Sequence, residues 1–327
     1  MKAVEIVGVK EAQIVERPDP TPIGNLVRVR TTVIPMCTEV KGWLGGWKSA
    51  NLGHEAAGVV EELGPDAKGL EIGQRVVVMP QYPCGTCGLC ESGEYIHCTH
   101  VQLPPEGTAT YAEALLKPDW LLLPIPYGIP TEHAAMACCG LGPTFGALER
   151  AGAQSGDTIA ITGLGPVGLG GVVNAVHRGC RVIGIESHPY RANLARELGA
   201  VAVIDPTQPD APQRLQTFAP SIGIDCSGVA PAQRLLIEGI RRRGQIVFVG
   251  EAGDLTLNIS NDMLRRGLTL HGQWHYPLGL YEKLMAQIAT LGPQIEKLIT
   301  HRFPLERVED SFAIQATGNC GKVILLP

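Results

Sequence analysis

The sequence predicts an α/β protein: a doubly wound parallel sheet, preceded by a β-rich region with no long helical period. Three observations lead there. After about Thr131, short apolar runs (TIAIT, RVIGI, VAVID, GIDCSG and QIVFVG) alternate with helical segments such as RANLARELG and APAQRLLIEGI, the order that builds a parallel sheet covered on both faces. A glycine turn, GLGPVGLG, follows the first of these runs. Up to about Ile125 the pattern is instead one of short strands and turns, with period two in LVRVRTTVI (26–34) and AAGVVEEL, and a buried run in RVVVM. TEHAAMACCGLGPTFGALERAG has helical character, and LTLHGQW supplies a sixth strand. After about Pro277 a helix, YEKLMAQIATLG, leads to HRFPLERVEDSFAIQATGNCGKVILLP, which ends on another strand and is expected to pack back on the β-rich part.

A chain of 327 residues, 45% hydrophobic and 18% charged, is large enough for two cores. The formal charge of −5 gives no field that would recruit nucleic acid or an acidic membrane. Arg241–Arg243, the one basic run, reads as a solvated helix end. The N-terminal MKAVEIVGVKEAQIVERP lacks the continuous apolar core of a signal peptide. The most apolar window, 158–176, is rich in glycine and reads as a buried strand and helix rather than a membrane span. A cytoplasmic location is therefore expected, where ten cysteines serve as ligands, nucleophiles or core residues rather than disulfides.

The glycine turn is the first site of chemistry. Gly163, Gly165 and Gly168 occupy G-x-G-x-x-G between a strand and a helix, the arrangement that receives a pyrophosphate at a helix N-terminus. RVIGIE ends in Glu186, eighteen residues after the last glycine. An acid there accepts ribose hydroxyls and repels a 2′-phosphate; Ser187 and His188 follow, with no adjacent arginine, so NAD is expected over NADP.

Cysteines give the second. Cys84, Cys87, Cys90 and Cys98 form C-x2-C-x2-C-x7-C in a glycine-rich loop, which suits a closed tetrahedral zinc site; an iron–sulfur cluster is the competing reading of the spacing. A more dispersed set is Cys37 in MCTE, His54 in GHE, and the pair Cys138-Cys139. Two cysteines and a histidine would give zinc three protein ligands and leave one position for substrate.

With these motifs the chain resembles the zinc-dependent medium-chain alcohol dehydrogenases, including their polyol and threonine dehydrogenase branches. The matches are the cysteine after the alternating strand, GHEAAGVV, the four-cysteine lobe, the GLGPVG turn with its acid, and HRFPLE…GKVIL. The resemblance implies a GroES-like catalytic domain from residues 1–140 and 277–327, with its zinc lobe at 81–100. It implies a Rossmann domain at 141–276 and a catalytic zinc in the cleft between the two. Cys37 and His54 become catalytic zinc ligands, with Cys139 or Cys138 as the third; the ALERAG register favours Cys139. Glu55 becomes the acid that approaches the metal during ligand exchange, and Glu39 the carboxylate that orients the ligand histidine. Thr38 becomes the hydroxyl that takes the alcohol proton. Family members carry C-G-[ST]-D where this chain has Cys-Thr-Glu, one residue shorter, which bears on Thr38 most. For the cofactor the resemblance adds Pro166 and Val167 in the turn, Val249 and Gly250 near the nicotinamide, and Lys322 on the pyrophosphate.

The expected activity is hydride transfer between a zinc-bound alcohol and NAD, the alcohol being a polyol, sugar derivative, amino alcohol or secondary alcohol. Two zinc ions, one catalytic and one structural, and a homodimer or homotetramer go with it; a nucleic-acid or membrane partner does not. Carbonyl reduction as the working direction, and a nucleotide sensor that has lost catalysis, are the competing readings. The shortened PMCTEV segment is the feature that favours the sensor.

Overall fold

The computed structural model describes residues 1–105 and 109–327. The chain divides into two compact units, Met1–Gly140 with Pro277–Pro327, and Leu141–Tyr276.

The first unit is built on a seven-stranded sheet. Its central strand, Leu26–Pro35, alternates so that Val27, Val29, Thr31 and Val33 face inward. It pairs antiparallel with Ala56–Leu63 and with Ala114–Pro118. The C-terminal strand Lys322–Leu326 joins it antiparallel at Ile34 and Pro35, and carries Ile299–Pro304 alongside in parallel. The tail thus completes the N-terminal sheet. Val27, Val29, Val60, Val76, Val78 and Leu115 fill one core, while Ile34, Met36, Trp43, Tyr111, Phe312 and Val323 belong to a second. Trp43 is therefore a core residue, while Trp47 is exposed. A short helix, Glu39–Gly45, directly follows Cys37 and Thr38, a segment where strand periodicity gave no helical expectation. The run from Thr131, read as helical, is interrupted: Thr131–Ala135 and Gly142–Arg150 are helices, and the turns between them carry Cys138 and Cys139. Pro143 opens the second helix, where its missing N–H would have had no partner.

The second unit holds six parallel strands in the order Ala202–Ile204, Arg181–Ile185, Thr158–Thr162, Ile222–Asp225, Gln245–Phe248 and Thr269–Gly272. The apolar runs are continuous because both faces are covered: Ile159, Ile161, Ile183, Ile224 and Ile246 are all buried. The chain reverses its winding direction between Thr158–Thr162 and Ile222–Asp225. In an open α/β sheet, ligands bind at the carboxyl ends of the strands beside such a switch. Both LTLHGQW and VAVID are shorter as strands than the sequence suggested. Among the described residues, no helix is long and apolar enough to cross a membrane.

Candidate active site and metal centres

The Leu26–Pro35 strand delivers Cys37 just beyond its end, and the loop before Ala56–Leu63 delivers His54 and Glu55. The turns after Thr131–Ala135 bring in Cys139. One ligand atom from each of Cys37, His54, Glu55 and Cys139 lies within 4.8 Å of every other. His54 Nε2 is 3.2 Å from Cys139 Sγ and 4.0 Å from Glu55 Oε1. Cys138 turns away: its thiol donates to Val78 O at 3.4 Å, and burial pushes it well above the ordinary thiol range. The geometry thus separates two cysteines that the sequence left as alternatives.

Glu39 lies behind the histidine, with Oε1 2.7 Å from His54 Nδ1 and Oε2 accepting the Cys37 N–H at 3.1 Å. With Nδ1 turned to Glu39, Nε2 is the ring nitrogen that faces the sulfurs and the one a metal would take. Burial opposes charge on this pair, yet their mutual attraction wins: Glu39 sits below the ordinary carboxylate value and His54 well above the ordinary imidazole value. A hydrogen bond between the two thiols pulls Cys37 well below the thiol range and pushes Cys139 above it. Two thiols and an imidazole converging at this distance fit a zinc ion with three protein ligands, and the Glu55 carboxylate stands near the fourth, exchangeable position.

Glu55 is held from behind. Its Oε2 accepts the Cys139 N–H at 3.0 Å, and Lys322 donates to Oε1 at 2.7 Å, with both side chains at 0% exposure. Burial raises Glu55 to about 7, against the pull of Lys322. Burial works against charge on Lys322, but Glu55, Cys37 and Cys139 together push it above the ordinary lysine value. The sequence put Lys322 on a pyrophosphate; the group its ammonium meets here is the Glu55 carboxylate. Thr38 caps the Glu39–Gly45 helix through its backbone without a side-chain cap bond, and is exposed.

In the lobe, the sulfurs of Cys84 and Cys98 are 3.5 Å apart, Cys87 and Cys90 3.5 Å, Cys87 and Cys98 3.8 Å, and Cys84 and Cys90 4.0 Å. A tetrahedron with zinc–sulfur bonds of about 2.3 Å has edges of about 3.8 Å. The four thiols are therefore set out as a closed zinc site, and the N–H groups of Cys84 and His100 both donate to Cys98 Sγ at 3.3 Å.

The nucleotide turn is in the second unit. Gly163 has φ +74°, and a Cβ there would lie 2.5 Å from Ser227 Cα, whereas one on Gly165 would meet nothing within 4 Å. The first glycine closes the turn, and the second leaves open space at the start of the Pro166–His177 helix. Glu186 accepts the N–H groups of Leu164 and His188, each at 2.9 Å, and so ties the turn to the second strand. A cavity of about 750 Å³ beside it is lined by Gly163, Gly165, Glu186, Arg191 and Ser227 among others. Arg191, five residues past Glu186, corrects the expectation that no arginine adjoins this acid; one turn of the Pro189–Glu197 helix brings it back to the cavity. The N–H groups of Val249 and Gly250 both donate to Asp225 O, at 2.8 and 2.9 Å.

Sequence reading also missed Asp225. Fully buried, it accepts from Thr162 Oγ1 (2.7 Å), Ser227 Oγ (2.6 Å) and N (2.9 Å), and Gln233 Nε2 (2.8 Å), so it fixes the loops at the strand ends. Its position in GIDCSG, at the end of an apolar strand, was the available signal.

Comparison with known proteins agrees with this arrangement. Residues 24–127 match the alcohol dehydrogenase GroES-like domain, and residues 166–290 the zinc-binding dehydrogenase domain. L-threonine 3-dehydrogenase of Chromobacterium violaceum is 31% identical over 84% of this chain and 82% of its own. Sorbitol dehydrogenase of Bacillus subtilis is 28% identical over 100% of this chain and 97% of its own. The structure of alcohol dehydrogenase TADH from Thermus sp. ATN1 superposes with a TM-score of 0.90 at 25% identity, covering 100% of this chain and 99% of that one. With a GroES-like domain, a Rossmann-type domain and two clustered metal-binding constellations, the chain belongs to the zinc-dependent medium-chain alcohol dehydrogenases.

Proposed function

We propose that the chain is an NAD-dependent dehydrogenase that oxidises a CH–OH group of a polyol or amino alcohol to the carbonyl, with Cys37, His54 and Cys139 holding a catalytic zinc. The convergence of Cys37, His54, Glu55 and Cys139, with Glu39 on the far side of the imidazole, carries this reading. When bound, zinc acts as a Lewis acid that lowers the pKa of the alcohol, and the nicotinamide accepts the hydride.

The chain's own residues do the rest. Glu39 keeps the Nδ1 proton on His54 and so fixes the imidazole as a ligand. Glu55, buried beside Lys322, is the carboxylate within reach of the cluster when the substrate oxygen comes or goes. Thr38, exposed next to Cys37, passes the alcohol proton towards solvent. Pro166 and Val167 open the helix that takes the pyrophosphate, Glu186 receives the ribose hydroxyls, and the backbone of Val249 and Gly250 lies beside the nicotinamide. Cys84, Cys87, Cys90 and Cys98 hold a structural zinc.

Polyols and amino alcohols come first because relatives named sorbitol and L-threonine dehydrogenase match most of the chain. The edge strand Thr269–Gly272 suits a homodimer in which two parallel sheets meet. The sensor reading loses its support, since the shortened Cys-Thr-Glu segment still brings Glu39 within 2.7 Å of His54. The test is the growth of reduced-nicotinamide absorbance with NAD over a panel of polyols, amino alcohols, sugars and secondary alcohols. Turnover confined to vicinally substituted alcohols supports the proposal. Absence of turnover in both directions, in protein that binds NAD, rejects it.

A further inference from the structure

Glu39 stands one residue nearer Cys37 than the acid of the C-G-[ST]-D pattern, and the extra methylene of glutamate restores its reach to the imidazole. A longer side chain has more freedom, and something must hold it. Oε1 is engaged by His54. Oε2 accepts the Cys37 N–H at 3.1 Å and, at 3.4 Å, the hydroxyl of Tyr111, a residue only 1% exposed. A phenol is a donor throughout the neutral range, and inside a core a carboxylate oxygen is the acceptor that keeps it satisfied.

Tyr111 holds the histidine loop from a second side. Its N–H donates to Leu52 O at 3.1 Å. Its ring fills the space beside Gly53, the residue before His54: Gly53 has φ +90°, and a Cβ there would lie 2.4 Å from Tyr111 Cδ2. The ring itself is fixed by stacking on Phe312 (6.2 Å, 9°), which stacks in turn on Trp43 (5.6 Å, 17°). Backbone, ring and hydroxyl of one residue therefore bear on His54 and on the carboxylate that orients it.

We propose that Tyr111 is a positioning residue for the metal-binding histidine, its hydroxyl and the Cys37 N–H together fixing the Glu39 carboxylate that holds His54 in its ligand tautomer. The inference rests on the reading of Cys37, His54 and Cys139 as a metal site. A phenylalanine at 111 would keep the ring packing and remove only the oxygen that reaches Glu39.

The experiment uses the full chain loaded with cobalt(II) at both sites, the four-cysteine lobe serving as internal reference. Metal release to a chelator and the ligand-field absorption of each site are followed in wild type, Tyr111→Phe, and protein with 3-fluorotyrosine at 111, whose hydroxyl is a stronger donor. In Y111F the Cys37–His54–Cys139 site should release its metal about tenfold faster, the low end for such outer partners because the bond is long. Its absorption bands should shift, kcat should fall more than KM changes, and the lobe should be unaffected. The fluorinated protein should release more slowly than wild type, and it carries the test if Y111F does not fold. Identical release and spectra in all three proteins overturn the inference and leave the metal site standing. A wild type that binds cobalt only in the lobe overturns the metal reading, and this inference with it.

Discussion

Lys117 carries the least expected stability prediction. It lies in the Ala114–Pro118 strand, 3% exposed, with its ammonium donating to Gln81 O at 2.5 Å and 3.9 Å above the Tyr82 ring. Gln81 is the first residue of the cysteine lobe as the sequence delimits it. Among the described residues no carboxylate is bonded to the ammonium, and burial lowers its pKa from 10.5 to about 7. Between those values the folded chain binds fewer protons than the unfolded one, so this group makes stability rise with pH. Keeping the ammonium charged inside the fold therefore costs roughly 4–5 kcal/mol at and below pH 7, falling to well under about 1 kcal/mol by pH 10.5. Lys117→Met removes that cost but leaves Gln81 O unpaired, at about 1–3 kcal/mol. The variant should therefore be about 2–3 kcal/mol more stable than wild type at pH 7 and about 1–2 kcal/mol less stable at pH 10.5, crossing near pH 9. Urea unfolding of both proteins side by side, with zinc saturating and thiols reduced, reads the difference. A K117M that is less stable at pH 7, by an amount that does not change with pH, would refute the reasoning: the Tyr82 ring and Gln81 O would then solvate the ammonium fully.

Three further outcomes follow from the site. Cys139→Ser should cost one metal per chain and at least about 1,000-fold in turnover, whereas Cys138→Ser, which loses only a buried contact to Val78 O, should keep both metals and most activity; metal analysis with steady-state kinetics distinguishes the two. Gly53→Ala should destabilise the fold by about 2–5 kcal/mol, since a Cβ would lie 2.2 Å from Thr110 Oγ1 at φ +90°, and should weaken metal retention at His54; denaturation and metal content check it. Glu186→Ser should raise NADP use relative to NAD by at least about tenfold, because it removes the charge that repels a 2′-phosphate and leaves Arg191 on the cavity; the ratio of kcat/KM for the two cofactors measures it.

The sequence carried the fold through periodicity. Strands buried on both faces, such as TIAIT and RVIGI, must be continuously apolar, and Leu26–Pro35 must alternate because its faces differ, so each announced itself. The Glu39–Gly45 helix did not, because seven residues span too few turns for a helical period to emerge. The metal-binding candidates were legible as residue types in order, yet the choice between Cys138 and Cys139 was not. Adjacent residues in a turn point in different directions, and only the backbone path decides which one meets His54. The partner of Lys322 was not legible because a basic residue in that place suits a phosphate or a buried acid equally well, and Glu55, the acid it meets, is distant in sequence. Arg191 escaped because adjacency was sought along the chain, while the helix after Glu186 returns it to the same cavity one turn later. Tyr111 gave no signal at all: its part depends on Glu39, seventy-two residues away.

The most direct test of the central claim is to count zinc per chain while following alcohol-dependent NAD reduction through chelation and zinc return. The account predicts two zinc ions per chain. Mild chelation should remove one, with loss of turnover in proportion, and added zinc should restore both, while the lobe keeps its metal throughout. Full turnover in protein that carries only the lobe zinc would contradict it, and would place the chemistry somewhere other than Cys37, His54 and Cys139.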